Sequence, residues 1–201
     1  MLDKAIQRAL RPTLARAARG LVRLGAGADA ISLTGFAIGM AAAGAIALQQ
    51  YLLGLALLLL SRLLDGLDGA VARATQPTDR GGFLDITLDF LFYAAIPLAF
   101  AVADPAANAL PAAVLLASFI GTGSSFLAFA AVAEKRQMAS AAFPDKSFYF
   151  LGGLTEATET IVAFAAMCLW PQWFPQIAYG FAVLCGITTV LRIVWGYKAF
   201  R

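Results

Sequence analysis

The sequence predicts an all-α integral membrane protein with six transmembrane helices and an N-terminal amphipathic helix at the membrane surface. Of its 201 residues, 61% are hydrophobic and 13% are charged, whereas soluble domains have about 45–50% apolar and about 25% charged residues. The apolar residues form six runs, each close to the roughly 20 residues that a helix needs to cross the hydrocarbon core. No repeat or composition break divides the chain, which indicates one domain over residues 1–201. The runs lie at about 31–50, 52–73, 82–103, 109–133, 148–170 and 174–197.

The N-terminal segment 1–25 alternates arginine and lysine with short apolar pieces. This spacing is typical of a helix that lies on the membrane with its basic side toward anionic headgroups. A basic tail that only sets the orientation of the chain explains the same pattern equally well. Pro12 is expected to kink or restart a helix in this segment.

The positions of the basic residues predict the orientation of the chain. The connections at 49–50, 103–108 and 170–176 contain no lysine or arginine, so all fifteen basic residues lie on the opposite side or within helices. By the positive-inside rule, both termini, the 73–81 loop and the 134–147 connection are predicted to be cytoplasmic. Trp170, Trp173 and Tyr179 fit an aromatic belt at the outer face.

The residue types restrict the chemistry that the chain can perform. It contains no histidine, which excludes histidine-based acid–base catalysis and leaves carboxylates as the main catalytic and ligating groups. Its two cysteines lie in separate apolar runs and support neither a zinc site nor a disulfide framework. Because so little polar sequence lies outside the predicted helices, no nucleic-acid-binding surface is expected.

Four aspartates lie at the cytoplasmic ends of the second and third predicted helices. Asp65 and Asp68 share one face of the second helix, because residues three or four apart on a helix are neighbours. Asp85 and Asp89 do the same on the third helix, and the short loop between the helices brings the two pairs together. Such a cluster repels itself unless protons or cations offset its charge. Hard divalent cations with oxygen ligands are its natural partners.

The residues around the aspartates resemble the signature of the CDP-alcohol phosphotransferases. They read Asp-x2-Asp-Gly-x2-Ala-Arg-x7-Gly-x3-Asp-x3-Asp. The loop between the arginine and the second glycine is one residue shorter than the family's usual loop, while the acids and their helical spacings are intact. The small residues and the arginine beside the acids suit a diphosphate ligand. The matched positions are Asp65, Asp68, Gly69, Ala72, Arg73, Gly81, Asp85 and Asp89.

The resemblance implies transfer of a phosphatidyl (phosphoalcohol) group from a CDP-linked donor, CDP-diacylglycerol, to an alcohol hydroxyl, with release of CMP, in phospholipid synthesis. It implies two divalent cations, Mg²⁺ or Mn²⁺, whose ligands are Asp65, Asp68, Asp85 and Asp89. Asp89 is also the expected general base. The implied nucleotide site comprises Gly69, Ala72, Arg73, Gly81 and Thr34.

The resemblance also carries expectations about location and assembly. It implies a bacterial inner membrane protein that takes its donor from membrane lipid. The family often forms homodimers. Gly35 and Gly39 form a small-xxx-small pair that suits close helix packing. Either this pair or the aromatic faces of the helices are candidates for a homodimer interface, and the sequence does not select between them.

Three further charged residues within apolar runs are functional candidates, because ionisable groups are costly there. Arg62 is interpreted as a buried counter-charge to the acids, the alternative being a side chain that extends to the membrane surface. Glu156 and Glu159 either line a pocket for the acceptor or pair with nearby bases such as Lys135. Arg62 is a third candidate for that acceptor pocket.

The sequence leaves the acceptor open between amino alcohols or serine and phosphorylated alcohols. The segment after Asp89 lacks the Asp-Lys ending of the family's glycerophosphate branch, and its Pro97 is similar to the serine- and choline-using branches. The alternative function is a divalent-cation transporter or channel, since acids in membrane helices also mark ion pathways. That alternative predicts acids spread across the bilayer and repeat symmetry, and the sequence shows neither.

Overall fold

The computed structural model describes residues 2–136 and 154–201, with side chains from residue 11 onward. Within these residues the chain folds into seven α-helices and one short 3-10 helix, without β-strands. The helices are α1 (Leu2–Arg23), α2 (Ala28–Ala47), α3 (Tyr51–Ala74), α4 (Asp79–Ala103), α5 (Pro105–Lys135), α6 (Ala157–Leu169) and α7 (Phe174–Ala199), and the 3-10 helix is Pro171–Trp173. Helix α1 is continuous through Pro12, which therefore does not restart it.

Four segments are long and apolar enough to cross a membrane: α2, α4, α5 and Pro171–Ala199. Helix α3 coincides with a predicted run but carries two arginines and two aspartates from Arg62 onward, which lowers its apolar character. Helix α6 comprises only 13 residues, and the first part of the predicted run 148–170 lies outside the described residues. The described chain thus has four candidate spans where the sequence predicts six.

The main core is built from apolar side chains of α2 through α7. Phe92 and Phe100 of α4 are fully buried in it, and the Phe100 ring stacks on Phe174 with centroids 4.5 Å apart. A smaller core joins α1 to α2 and α3 around Ala18 and Val71. Large apolar side chains are also exposed around the outside of the helices, as on a surface that faces lipid. In lipid, helices are held together by close packing rather than by exclusion of water.

Gly35 and Gly39 bring α2 close to α3 and α4. A Cβ on Gly39 would lie 2.7 Å from Cδ2 of Phe92, and one on Gly35 would lie 3.1 Å from Cβ of Leu64. The Ser61 hydroxyl of α3 donates a hydrogen bond to the Gly35 carbonyl at 2.7 Å. Both glycines are buried within the chain, which corrects the expectation that they supply a homodimer interface.

Candidate active site

The loop between α3 and α4 brings the two halves of the signature together. Residues 75–78 connect the helices, and the Thr78 hydroxyl accepts a hydrogen bond from the Gly81 amide at 3.0 Å. This bond caps the start of α4. A Cβ on Gly81 would lie 3.1 Å from the Thr78 hydroxyl oxygen, so a glycine fits this tight start. The shortened loop is therefore accommodated by a compact, capped turn.

Three of the four signature aspartates converge. One carboxylate oxygen from each of Asp65, Asp68 and Asp85 lies within 4.8 Å of the other two. Asp68 is buried, at 5% exposure, and Asp85 is exposed. Opposite oxygens around one Mg²⁺ are about 4.2 Å apart, since each Mg–O bond is about 2.1 Å. The donors are all hard carboxylate oxygens, and their upper limit of 4.8 Å is close to this distance, so the three residues fit a hard divalent cation.

Asp89, the fourth aspartate, is bound to a guanidinium. Arg62 Nη1 lies 2.6 Å from Asp89 Oδ1 and 3.4 Å from Asp65 Oδ1. The Arg62 side chain is 9% exposed, and its guanidinium lies 3.8 Å from the centre of the Phe92 ring. Arg62 is thus a buried counter-charge to the acids, as interpreted from the sequence, and its assignment to the acceptor pocket stays a prediction.

Ser32 of α2 is a site residue that sequence reasoning missed. Its hydroxyl donates to Asp68 Oδ2 at 2.5 Å and so orients one of the converging carboxylates. Thr34, the residue predicted for the nucleotide site, donates instead to the Ala30 carbonyl at 2.7 Å and does not line the cavity beside the acids. Helical spacing could have identified Ser32 as a site residue, because it lies on the same face of α2 as Gly35 and Gly39, which pack on α3.

A cavity of about 1200 Å³ opens beside the acid cluster. Its polar end is lined by three of the aspartates and by all four glycine, alanine and arginine positions of the signature. Its walls continue along α5, where Phe119, Ile120 and Phe126 are apolar. The polar lining comprises Asp68, Asp85, Asp89, Gly69, Ala72, Arg73 and Gly81.

The structure separates the two glutamates that were predicted for the acceptor pocket. Glu156 lines the cavity, as does Arg192 of α7, whose Nη1 donates to the Thr122 carbonyl at 2.9 Å. Glu159 is not among the residues that line the cavity. Its carboxylate accepts a hydrogen bond from the Glu156 amide at 3.1 Å, as one half of a capping box at the start of α6.

Relatives with similar sequences are known. A family model described as CDP-alcohol phosphatidyltransferase matches residues 26–194. The chain is 52% identical to the inner membrane protein YnjF of Escherichia coli over 201 residues, which cover 100% of this chain and 98% of that protein. It is 50% identical to an archaetidylinositol phosphate synthase of Methanothermobacter thermautotrophicus over 70 residues, 34% of this chain and 36% of that protein.

Solved structures share the fold. The phosphatidylinositol phosphate synthase of Mycobacterium tuberculosis with CDP-DAG bound has a TM-score of 0.72 and 22% identity, covering 92% of this chain and 93% of that one. The same protein in complex with manganese and citrate has a TM-score of 0.71, covering 92% of this chain and 88% of that one. Because the family model spans most of the sequence and the signature residues converge beside one cavity, the chain belongs to the CDP-alcohol phosphatidyltransferase family.

Proposed function

We propose that this protein transfers a phosphatidyl group from CDP-diacylglycerol to the hydroxyl of an alcohol acceptor and releases CMP. The observation that carries the proposal is the convergence of Asp65, Asp68 and Asp85, of which Asp68 and Asp85 line the polar end of a large cavity with apolar walls. A lipid-linked nucleotide matches this cavity, because its charged diphosphate suits the polar end and its apolar chains suit the apolar walls. Family membership and the CDP-DAG bound in a similar structure support this assignment.

In this reaction the acceptor oxygen bonds to the phosphorus that carries the lipid, and the bond from that phosphorus to the oxygen of CMP breaks. The proton of the acceptor hydroxyl passes to the carboxylate of Asp89, which lines the cavity. Arg62 orients that carboxylate through its 2.6 Å contact. Divalent cations, Mg²⁺ or Mn²⁺, bound by Asp65, Asp68 and Asp85, would neutralise the diphosphate and acidify the hydroxyl.

The donor's nucleotide end lies, in this proposal, between the start of α4 and the end of α3. Arg73 is exposed at the rim of the cavity and binds a phosphate oxygen of CDP. The neighbouring wall is formed by Gly69, Ala72 and Gly81, whose small size leaves room for the nucleotide. The acyl chains extend along the apolar wall of α5, where Ile120 is 71% exposed.

The proposal includes the arrangement of the chain in the membrane. The four candidate spans, α3 and the segment that contains α6 form a six-helix domain within residues 1–201, with α1 at the membrane surface. The termini and the acid cluster then face the cytoplasm, as the distribution of basic residues predicts. The Escherichia coli relative is an inner membrane protein, which supports the bacterial inner membrane as the location of this chain.

A divalent-cation pathway is the less favoured function. Such a pathway places acids along the length of its helices. The converging aspartates here lie in the second half of α3 and the first half of α4, at the same end of two adjacent helices. This placement favours a site that binds a ligand at one membrane face.

The decisive experiment measures CMP release by the purified protein in detergent, with CDP-diacylglycerol and Mg²⁺ or Mn²⁺. The acceptors tested are serine, inositol, inositol phosphate, glycerol 3-phosphate, choline, ethanolamine and phosphatidylglycerol. The names of the similar synthases place inositol phosphate in this panel, and the segment after Asp89 places serine there. We expect metal-dependent release with one acceptor.

Two variants test whether CMP release depends on Asp89. Asp89→Asn is expected to lower the rate by about 100-fold or more, because it removes the general base. Asp104→Asn, the matched control, retains a side-chain acceptor for the cap of α5 and is expected to retain the rate. A protein that binds Mn²⁺ but neither binds CDP nor releases CMP would overturn the proposed function.

A further inference from the structure

The side of the large cavity formed by α6 and α7 carries one charge of each sign. Among the described residues of these helices and of the segment before α6, the charged side chains that line the cavity are Glu156 and Arg192. We propose that Glu156 contacts the ammonium group and Arg192 the carboxylate of the acceptor, so that the acceptor is an amino acid with a free hydroxyl. This inference rests on the proposed function, whose acceptor it names by chemical class.

Contacts with α5 hold the Arg192 guanidinium at the cavity. Its Nη1 donates to the Thr122 carbonyl at 2.9 Å, and its Cζ lies 5.9 Å from the centre of the Phe126 ring, within the range of a cation–π contact. Its Nε is buried and has no hydrogen-bond partner among the described residues. Because a guanidinium carries several N–H donors in a planar fork, Arg192 retains donors that match the two oxygens of a carboxylate.

A buried pair of threonines fixes the segment that carries Glu156. The hydroxyl of Thr188 on α7 accepts hydrogen bonds from the amide of Thr155 at 3.1 Å and from its hydroxyl at 3.0 Å. Thr188 is fully buried and donates in turn to the Leu184 carbonyl at 3.0 Å. Thr188 and Arg192 are one helical turn apart. The start of α6 is therefore attached to α7 beside Arg192, and the charge of Glu156 acts on the guanidinium.

The two charged residues share their cavity with the expected general base, Asp89. Phe90, the next residue, packs on Gly123 of α5, where an added Cβ would overlap the phenyl ring. Gly123 directly follows Thr122, whose carbonyl binds Arg192. A continuous set of contacts from α4 through α5 thus connects Asp89 to Arg192, so an acceptor bound by the charged pair lies in the same cavity as the group that takes its proton.

The charge balance distinguishes the classes of acceptor. A phosphorylated alcohol carries about two negative charges at neutral pH, which Glu156 would repel and one guanidinium would offset only in part. An alcohol with only an ammonium group would gain no charged contact from Arg192, and one with only a carboxylate would gain none from Glu156. An acceptor with both groups gains both contacts. The small side chains of Ala157 and Thr160 in the same wall leave room for it.

The test compares serine with two alcohols that each lack one of its charged groups. Ethanolamine lacks the carboxylate, and 3-hydroxypropionate lacks the ammonium group. CMP release by the full-length protein in detergent, with CDP-diacylglycerol and Mn²⁺, gives kcat/KM for these three, for inositol phosphate and for glycerol 3-phosphate. We expect the kcat/KM of serine to exceed each of the others by about tenfold or more, which is the usual effect of a hydrogen bond to a charged group.

Two variants assign the charged contacts. Arg192→Gln is expected to lower kcat/KM for serine by about tenfold and to leave ethanolamine unchanged, whereas Arg192→Lys should keep the preference for serine. Glu156→Gln is expected to lower kcat/KM for serine and to leave 3-hydroxypropionate unchanged. Arg136→Gln is the matched control, because Arg136 also donates to a carbonyl, that of Phe200 at 2.6 Å, and is not among the described residues that line the cavity.

Each variant is judged by the ratio of two acceptors on one preparation, so a loss of folded protein does not change the result. Serine used no better than ethanolamine or 3-hydroxypropionate would overturn the inference and leave the proposed function standing. A higher kcat/KM for either phosphorylated alcohol would do the same. Unchanged ratios in Arg192→Gln or in Glu156→Gln would also overturn it, because serine would then bind elsewhere. No CMP release with any acceptor would overturn both the inference and the proposed function.

Discussion

A Cβ built on Gly69 would lie 3.2 Å from Nη1 of Arg73, so the glycine leaves the space that this guanidinium occupies beside α3. The two residues are one helical turn apart and both line the large cavity. The signature glycine therefore has a packing role, in addition to the role proposed for it in leaving room at the nucleotide site. It sets where the guanidinium can lie.

Gly69→Ala is expected to raise the KM for CDP-diacylglycerol by about tenfold, which corresponds to about 1.4 kcal/mol of lost binding. The reason is that the new methyl group displaces Arg73 from its position at the rim. The matched control is Gly66→Ala on the same helix, since its Cβ would meet Leu14 at an ordinary 3.4 Å. CMP release measured against donor concentration distinguishes the two, and equal KM values for both variants would contradict the role given to Gly69.

Local patterns in the sequence predicted much of the fold and the acid cluster. Runs of apolar residues near the length of a membrane span gave the helices, because length and composition are properties of each segment alone. The spacing of the four signature aspartates predicted a single cluster from helical periodicity and a short loop, and three of them, Asp65, Asp68 and Asp85, lie within 4.8 Å of one another. The features that the sequence did not decide depend on how separate helices pack.

Ser32 and Thr34 illustrate this limit. Both are hydroxyl residues near the start of α2, and only the packing of α2 on α3 decides that Ser32 faces Asp68. The packing of α2 on α4 likewise places Gly39 against Phe92 within the chain rather than at an interface. Glu156 and Glu159 have different surroundings for a similar reason. At the start of α6 the two residues form a capping box, in which the Glu159 carboxylate binds the backbone of Glu156.

Ser32→Ala is expected to weaken the binding of the divalent cation. The hydroxyl donates to Asp68 Oδ2 at 2.5 Å, and loss of such an orienting hydrogen bond typically costs about 10–100-fold in metal affinity. Mn²⁺ titration of the purified variant should therefore show a dissociation constant raised by about tenfold or more. Thr87→Ala removes a hydroxyl that, among the described residues, donates to the Phe83 carbonyl of its own helix, and it should bind Mn²⁺ like the unmodified protein. Unchanged affinity in Ser32→Ala would show that Asp68 is oriented without it.

Glu156→Gln is expected to raise the KM for the acceptor identified by the panel and to leave the KM for the donor unchanged. Glutamine keeps an oxygen that can cap α6, while the negative charge that faces the cavity is lost. Glu159→Gln is the comparison, because glutamine at this position also completes a capping box and the side chain does not line the cavity. An equal rise in acceptor KM for both variants would indicate an effect on α6 rather than on a pocket.

Gly39→Ala is expected to destabilise the protein and to lower its activity together. Its Cβ would lie 2.7 Å from Cδ2 of Phe92 and 2.9 Å from the Ser61 hydroxyl oxygen, and overpacking of this kind costs about 1–3 kcal/mol. Because the Phe92 ring supports Arg62 at 3.8 Å, its displacement also moves the guanidinium that orients Asp89.

Gly44→Ala on the same helix is the control, since no atom of the described residues beyond its own stretch of helix lies within 4 Å of its Cβ position. Alanine is preferred over glycine within a helix by about 1 kcal/mol, so this variant should unfold at the same temperature as the unmodified protein or higher. Thermal unfolding in detergent and CMP release are measured on both variants. If Gly39→Ala unfolded like Gly44→Ala and kept the full rate, the close packing of Phe92 on Gly39 and its effect on Arg62 would both be contradicted.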